Sequence, residues 1–253
     1  MGSMLRTLEK KAKGTLWHAL GLLFCKRRKP VPLPLDLSPV KSVLVVRPDR
    51  LGDVVLSTPV YESLKSSIPG VRVTALVDRP NAAVLAGNPF IDRVVPLDRK
   101  RPWRTALRLR EEKYDLAFTL NKSFSATASL LTLFSGAALR VGYRHPENAW
   151  MHAITVPTDG APRHEIENNL ELLRALGLPD IATAPAIYFD EQETWKVQNL
   201  LNEKRKHPHR PLVLIKPGTR VAQWGWRLEK FQKVTETLLQ SKTAEVFIIS
   251  GPG

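Results

Sequence analysis

The stretch that most limits what this chain can fold into runs from Ser42 to Pro59, SVLVVRPDRLGDVVLSTP. Val43 to Val46 is too short for a helix of its own and apolar throughout, the profile of a parallel strand buried on both faces. The polar turn after it then falls at the carboxyl end of that strand, the edge where open α/β sheets bind ligands. There the Gly52-Asp53 pair opens a helix. Glycine permits a tight conformation or a close approach of backbone to ligand. A carboxylate at a helix start meets free N–H groups and the positive end of the helix dipole. Asp53 has two compatible readings, a helix N-cap worth about 1 kcal/mol and a preorganised general base. Position alone does not separate them.

Beyond this turn, strands and helices alternate. A strand at 42–47 leads into a helix ending near Ser67, then a strand at 71–77, a helix at 81–86 and a strand at 93–96. A helix at 103–112, a strand at 115–120, a helix at 125–135 and a strand at 139–141 continue the series. Such alternation predicts a parallel sheet covered by helices on both faces. RHPENAWMHAITVPTDGAPRH, residues 144–164, is rich in turn formers and reads as surface loop. Leucines at helical spacing predict a helix over 165–176, closed by Gly177 and Pro179. Ahead of the first strand, VPLPLDLSP reads as an extended proline-rich linker over residues 31–40, so the folded domain begins near Lys41.

Charge is distributed unevenly. The formal net charge is +14, and residues 1–30 supply half of it, with eight Lys and Arg against Glu9 alone. Within this arm Leu5, Leu8, Ala12, Leu16, Leu20 and Leu23 recur at helical spacing, the pattern of an amphipathic helix. Its apolar run, Leu16 to Cys25, is far shorter than the roughly 20 residues that cross a bilayer. Three readings fit: a helix lying on an anionic membrane surface, a helix packed on the folded domain, and a leader. Against a secretory leader, KRRKP follows directly and no small-residue cleavage site is present. Nucleic acid is not expected as a partner, because no recognition motif accompanies the basic residues.

Other chemistries find little footing. Cys25 is the single cysteine, so no internal disulfide or cysteine-based metal site can form, in keeping with a reducing compartment. No GxGxxG follows the first strand, and neither GxxxxGK[ST] nor HExxH occurs. A second candidate ligand edge is Lys216-Pro217-Gly218-Thr219, where a strand at 212–216 ends. Gly218 allows close backbone approach, and Thr219 with Arg220 offers a hydroxyl and a guanidinium suited to phosphate. Alone, such a turn is more often structural.

RPDRLGDVVLSTPVYESLKSSIPGVRVTALVDRPNAAVLAGNPFIDRVVPLD, followed in order by YDLAFTL, LRVGY, ENNLELLRALGLP and VLIKPGTRVAQWGWRLEKF, resembles glycosyltransferase family 9, the heptosyltransferases of lipopolysaccharide core assembly. The resemblance implies an α/β fold of the GT-B type with two facing Rossmann-like domains. The acceptor domain would span residues 41–180, and a nucleotide-sugar domain would open at 181–253 with Ala186 to Phe189 and a helix at 191–206. It further implies inverting transfer of a heptose-like sugar from a nucleotide sugar, such as ADP-heptose, to a lipopolysaccharide core or other lipid-linked saccharide, with no cofactor and no essential metal. Asp53 would be the general base. Gly52, Arg47, Arg50 and Lys122 would meet the acceptor, and Lys216, Gly218, Thr219 and Arg220 the donor. The implied location is cytoplasmic, peripheral on the inner membrane.

Three departures stand out. Lys216 occupies the place of a usual His, and Trp224 that of a usual Lys, with Trp226 keeping the aromatic. The sequence given also ends at FIISGPG, where a strand hands over to a ligand loop, so the second domain is expected to be cut short and poorly active. A competing reading is a catalytically degenerate, membrane-associated protein that holds a nucleotide or glycolipid. Lys216 and Trp224 favour it, and the intact Gly52-Asp53 turn opposes it.

Overall fold

A computed structural model describes residues 31–218, 223 and 225–249. The basic arm over 1–30 and the positions Thr219, Arg220 and Trp224 lie outside the described residues. The chain divides into two compact units, Met1–Tyr188 and Phe189–Gly253.

The first unit contains β1 (Ser42–Arg47), α1 (Leu51–Val55), α2 (Thr58–Ser67), β2 (Arg72–Asp78), a 3-10 helix (Arg79–Leu85) and β3 (Arg93–Leu97). It continues with α3 (Pro102–Glu111), β4 (Leu116–Thr119), α4 (Ala126–Phe134), β5 (Leu139–Tyr143), a 3-10 turn (Ala149–Met151), β6 (Ile154–Val156) and α5 (Glu165–Arg174). All six strands are parallel, in the order β3-β2-β1-β4-β5-β6. This is the doubly wound Rossmann order, whose chain reversal falls between β1 and β4.

Every residue of β1 is buried, as its apolar run requires. Val43 and Val45 join the core that includes Leu64 of α2 and Leu170 of α5, whereas Leu44 and Val46 join the core with Leu109 of α3 and Leu131 of α4. Alternation along one strand thus supplies two cores, one per sheet face. Asp115 pins the start of β1 by accepting hydrogen bonds from Lys41 N (2.8 Å), Ser42 N (2.9 Å) and Ser42 Oγ (2.9 Å).

Four expectations need correction. The helix expected up to Ser67 is two helices, because Pro59 has no N–H to offer Val55. Thr58 Oγ1 donates to Val55 O instead (2.8 Å), and Ser57 Oγ to Val54 O (2.7 Å). The segment 144–164 is not all loop, since β6 pairs with β5 through Val141↔Ile154. Residues 31–40 are part of the first unit rather than a free linker: Leu35 N donates to Leu176 O (3.2 Å), and Val40 is buried. Finally, the unit boundary falls at 188 rather than 180, and 186–189 forms no strand. Ile181 N and Ala182 N donate to Ser63 Oγ, and Ala186 N to Thr58 Oγ1 (3.0 Å), which fastens this segment to α2.

The second unit contains α6 (Glu191–Lys204), β7 (Leu212–Ile215), α7 (Leu228–Ser241) and β8 (Glu245–Ile248). β7 and β8 are parallel, and neither helix has a fully buried residue. Among the described residues, no helix is long and apolar enough to cross a membrane.

Candidate functional site

The carboxyl ends of β1 and β4 lie side by side, with Val46 paired to Thr119. The loops leaving them carry Asp49, Asp53 and Asn121, and α5 brings Glu165 and Asn169 to the same place. Their meeting point is Arg47, the last residue of β1. Its side chain is only 3% exposed. Nη2 donates to Glu165 Oε1 (2.6 Å) and lies 3.7 Å from Asp53 Oδ1. Nη1 donates to Leu120 O (2.8 Å) and to Asn169 Oδ1 (3.4 Å). Nε is enclosed without a directed hydrogen bond, 3.1 Å from Asp49 Oδ2, and this contact is an ion pair only.

One buried cation thus faces three carboxylates. Asp49 also accepts from Asn121 Nδ2 (2.6 Å), and its backbone carbonyl accepts from Asn81 Nδ2 (2.6 Å). Burial raises the Asp49 carboxyl above its ordinary value, Arg47 opposes that rise, and Asp53 and Glu165 add to it. Asp53, half-buried, keeps one side toward Arg47 and the other toward solvent.

Arg50 is the N-cap of α1, which puts Asp53 at the third helical position, and no side chain caps this helix. The capping reading of Asp53 therefore falls away. Gly52 is helical as well, not in a left-handed turn, and a Cβ there would meet nothing within 4 Å. What Gly52 offers is open space beside Asp53.

The expected acceptor cations divide. Arg47 is interior and committed to protein groups, so it is not a surface contact for an acceptor phosphate. Lys122 is likewise engaged, donating to Ala161 O (3.1 Å) and Asn168 Oδ1 (3.0 Å), and it braces the 159–161 loop against α5. Arg50 is exposed, and its side chain has no polar partner among the described residues. Arg99 is a cation that the sequence reading missed. It clasps Asp78 with Nε (2.9 Å) and Nη2 (2.6 Å) and reaches Pro48 O (3.1 Å), which ties the end of β3 to the Asp49 loop. Beside it, Asp78, Arg79, Leu97 and Lys100 line a hollow of 430 Å³.

In the second unit, Lys216 and Gly218 follow β7 and are exposed, with open space where a Gly218 Cβ would stand. Pro217 borders an apolar crevice of 260 Å³ with Leu228 and Phe231 of α7. A larger hollow of 550 Å³, among Lys204, His207, Arg210 and Lys242, lies at the amino ends of β7 and β8, the edge opposite Lys216. Among the described residues no group of three or more His, Cys, Asp or Glu could hold a metal ion.

A doubly wound parallel sheet with a carboxylate at its switch point defines a Rossmann-type domain, the class that binds ligands at that edge. Comparison with known proteins makes this narrower. The model of "Glycosyltransferase family 9 (heptosyltransferase)" matches residues 103–253, and the chain belongs to that family. It is 26% identical over 213 residues to lipopolysaccharide heptosyltransferase 3 of Escherichia coli K12, covering 79% of this chain and 60% of the relative. It is 21% identical over 225 residues to the lipopolysaccharide core heptosyltransferase OpsX of Haemophilus influenzae, covering 86% and 62%. The chain therefore spans less than two thirds of these relatives.

Among solved structures, a family 9 glycosyltransferase of Veillonella parvula superposes with a TM-score of 0.74 at 23% identity, covering 86% of this chain and 64% of that one. The E. coli ADP-heptose lps heptosyltransferase II gives 0.67 at 21%, covering 82% and 63%. These likenesses establish the α/β fold with its parallel sheet as that of the GT-B heptosyltransferases.

Proposed function

We propose that this chain belongs to an inverting transferase that moves a heptose-like sugar from a nucleotide sugar, such as ADP-heptose, to a lipopolysaccharide core or other lipid-linked saccharide. One observation carries the reading: Asp53 presents a half-buried carboxylate at the switch point of the sheet, held from behind by a buried guanidinium. Family membership and the heptosyltransferase names of the relatives support the reaction class.

In this scheme the acceptor hydroxyl sits against the solvent side of Asp53. Its proton passes to the carboxylate as its oxygen bonds to the anomeric carbon. The bond from that carbon to the diphosphate breaks on the opposite face, so the configuration inverts, and the electron pair leaves with the nucleoside diphosphate. Arg47 touches neither reactant. It holds Asp53 from behind, with Nη2 3.7 Å from Oδ1, and so fixes the direction in which the carboxylate points. Arg50 and Lys100 meet phosphates of the acceptor. The leaving diphosphate is met by the Gly218 N–H and by Lys216, with Thr219 and Arg220 as further donors. No step needs a cofactor or a metal. The enzyme works in the cytoplasm, peripherally on the inner membrane, where a lipid-linked acceptor is found.

The test is Asp53→Asn, assayed with ADP-heptose and a lipid A-core acceptor. Turnover should fall by at least about 100-fold, the smaller end of general-base contributions, while acceptor binding is kept. Unchanged turnover would remove Asp53 as the base. A folded protein extended to the relatives' full length that binds a nucleotide sugar and never turns over would favour the degenerate binding protein.

A further inference from the structure

The face of the first unit formed by α3 and α4 exposes apolar surface that neither core absorbs. α3 buries Thr105, Ala106 and Leu109 against the sheet. The opposite side presents Trp103 (59% exposed) and Leu107 (60% exposed). Phe134, in the last turn of α4, is 53% exposed. Between the helices, Trp103, Ala126, Leu130 and Phe134 line a groove of 290 Å³ that is almost wholly apolar. Large aromatic and aliphatic side chains left in water side by side mark a surface that meets something apolar.

Charge indicates what that is. Arg101 precedes α3, and Arg104 and Arg108 follow Trp103 and Leu107 around the helix, all three exposed. None of these guanidiniums has an ion pair or hydrogen bond among the described residues. Arg110 stands at the far end of the groove, with its Cγ 3.3 Å from where a Gly136 Cβ would be. Glu111 is the one exposed acid on α3; Glu112, just past it, is paired with Arg93. Trp and Phe at the centre of a patch rimmed by unpaired arginines complement a bilayer boundary, apolar beneath and anionic at the headgroups.

We infer that the α3–α4 face docks on the surface of an anionic phospholipid bilayer. Trp103, Leu107 and Phe134 enter the headgroup boundary, and Arg101, Arg104 and Arg108 pair with lipid phosphates. Both helices leave the sheet at its carboxyl edge, from the β3 loop held by Arg99 and the β4 loop holding Asn121. Trp103 and Ala126 in their first turns therefore bring the groove to the same edge as Asp53. A docked bilayer lies next to the opening that would take a lipid-linked acceptor; this last placement rests on the proposed function, whereas the docking itself does not.

The experiment uses the full chain and requires no turnover. A nitrobenzoxadiazole label at Leu107→Cys, in a Cys25→Ser background, is mixed with phosphatidylglycerol vesicles or phosphatidylcholine vesicles. Emission should shift to the blue on the anionic vesicles and be quenched by brominated lipid. Arg104→Gln with Arg108→Gln should weaken flotation with phosphatidylglycerol by about thirtyfold, from the usual contribution of each cation near a charged surface. Trp103→Ser with Leu107→Ser should weaken it at least about tenfold. A label that stays silent while the protein still floats would assign membrane contact to another surface and overturn the inference. So would a doubled mass in light scattering that Leu107→Ser abolishes, because the face would then be an interface between copies.

Discussion

Arg47→Met is the sharpest test of how the site is held together. The substitution keeps most of the side-chain volume and removes the cation that, among the described residues, pairs with all three of Asp49, Asp53 and Glu165. Breaking a buried ion pair by removing one partner costs about 3–5 kcal/mol, because the charge left behind is unpaired in a poorly solvated place. The side chains of these three carboxylates are 25, 35 and 27% exposed, so water relieves part of that penalty. The lower end, about 3 kcal/mol, is therefore expected at pH 7. That is a large share of the ~5–15 kcal/mol that ordinarily separates folded from unfolded states.

Chemical denaturation of the full chain, followed at pH 7 and pH 5, reads this directly. Burial already raises the Asp49 carboxyl with Arg47 in place, and removing Arg47 takes away the strongest opposing influence. In the variant the folded-state Asp49 carboxyl titrates further above its unfolded value, so as the pH falls through that raised folded value the folded protein takes up a proton and recovers stability. The deficit should shrink between pH 7 and pH 5. Adding Glu165→Gln to Arg47→Met should cost less than the two single changes summed, because the pair shares one interaction. A loss below about 1 kcal/mol at pH 7, or one that is the same at both pH values, would refute the account.

Two further outcomes concern the frame around the site. Gly142→Ala should destabilise the first unit by about 1–3 kcal/mol through overpacking, since the added Cβ would lie 2.6 Å from His152 Nε2; thermal unfolding measures it, and Gly52→Ala, with open space at its Cβ, is the control for loss of glycine as such. Asp115 titrates below its ordinary value, because backbone and hydroxyl donors from Lys41 and Ser42 outweigh the desolvation that would raise it. Its contribution is present above the unfolded carboxylate value and lost as pH falls through the lower folded one. Asp115→Asn should therefore cost about 1–2 kcal/mol at pH 7, a deficit that shrinks as the pH falls through the lowered folded value, read from urea midpoints across an acid titration.

The series of strands and helices was legible because it rests on local signals. A buried strand such as VLVV has one reading, and leucine spacing marks α5 without reference to the rest of the chain. The 3-residue β6 escaped, because its edge position is decided by β5, and its own residues sit among turn formers. The break before Pro59 could have been read from the missing N–H at that residue.

The candidate site shows the same division. The Gly52-Asp53 turn was visible, since a strand followed by a polar turn carries its own meaning. Asp49, four residues earlier in the same motif, was overlooked because nothing local says that it is buried. The role of Arg47 was misread for a physical reason: an arginine at a strand end is an ordinary solvated charge until Glu165, 118 residues away, and Leu120 O close around it. That Lys122 also braces the 159–161 loop was not legible either, since α5 brings Asn168 to it from 46 residues away.

By itself, then, the sequence determined the parallel α/β class, the place of the turn that carries Asp53, and the likeness to family 9, because periodicity, turn chemistry and motif order are properties of neighbouring residues. Only the tertiary structure decided which charges are free and which are spent, since the Lys122 ammonium and the Arg47 guanidinium are committed by partners that the chain brings from 39 to 122 residues away. It also decided that Trp103, Leu107 and Phe134 remain in water. Exposure belongs to the packed whole, and no stretch of sequence contains it.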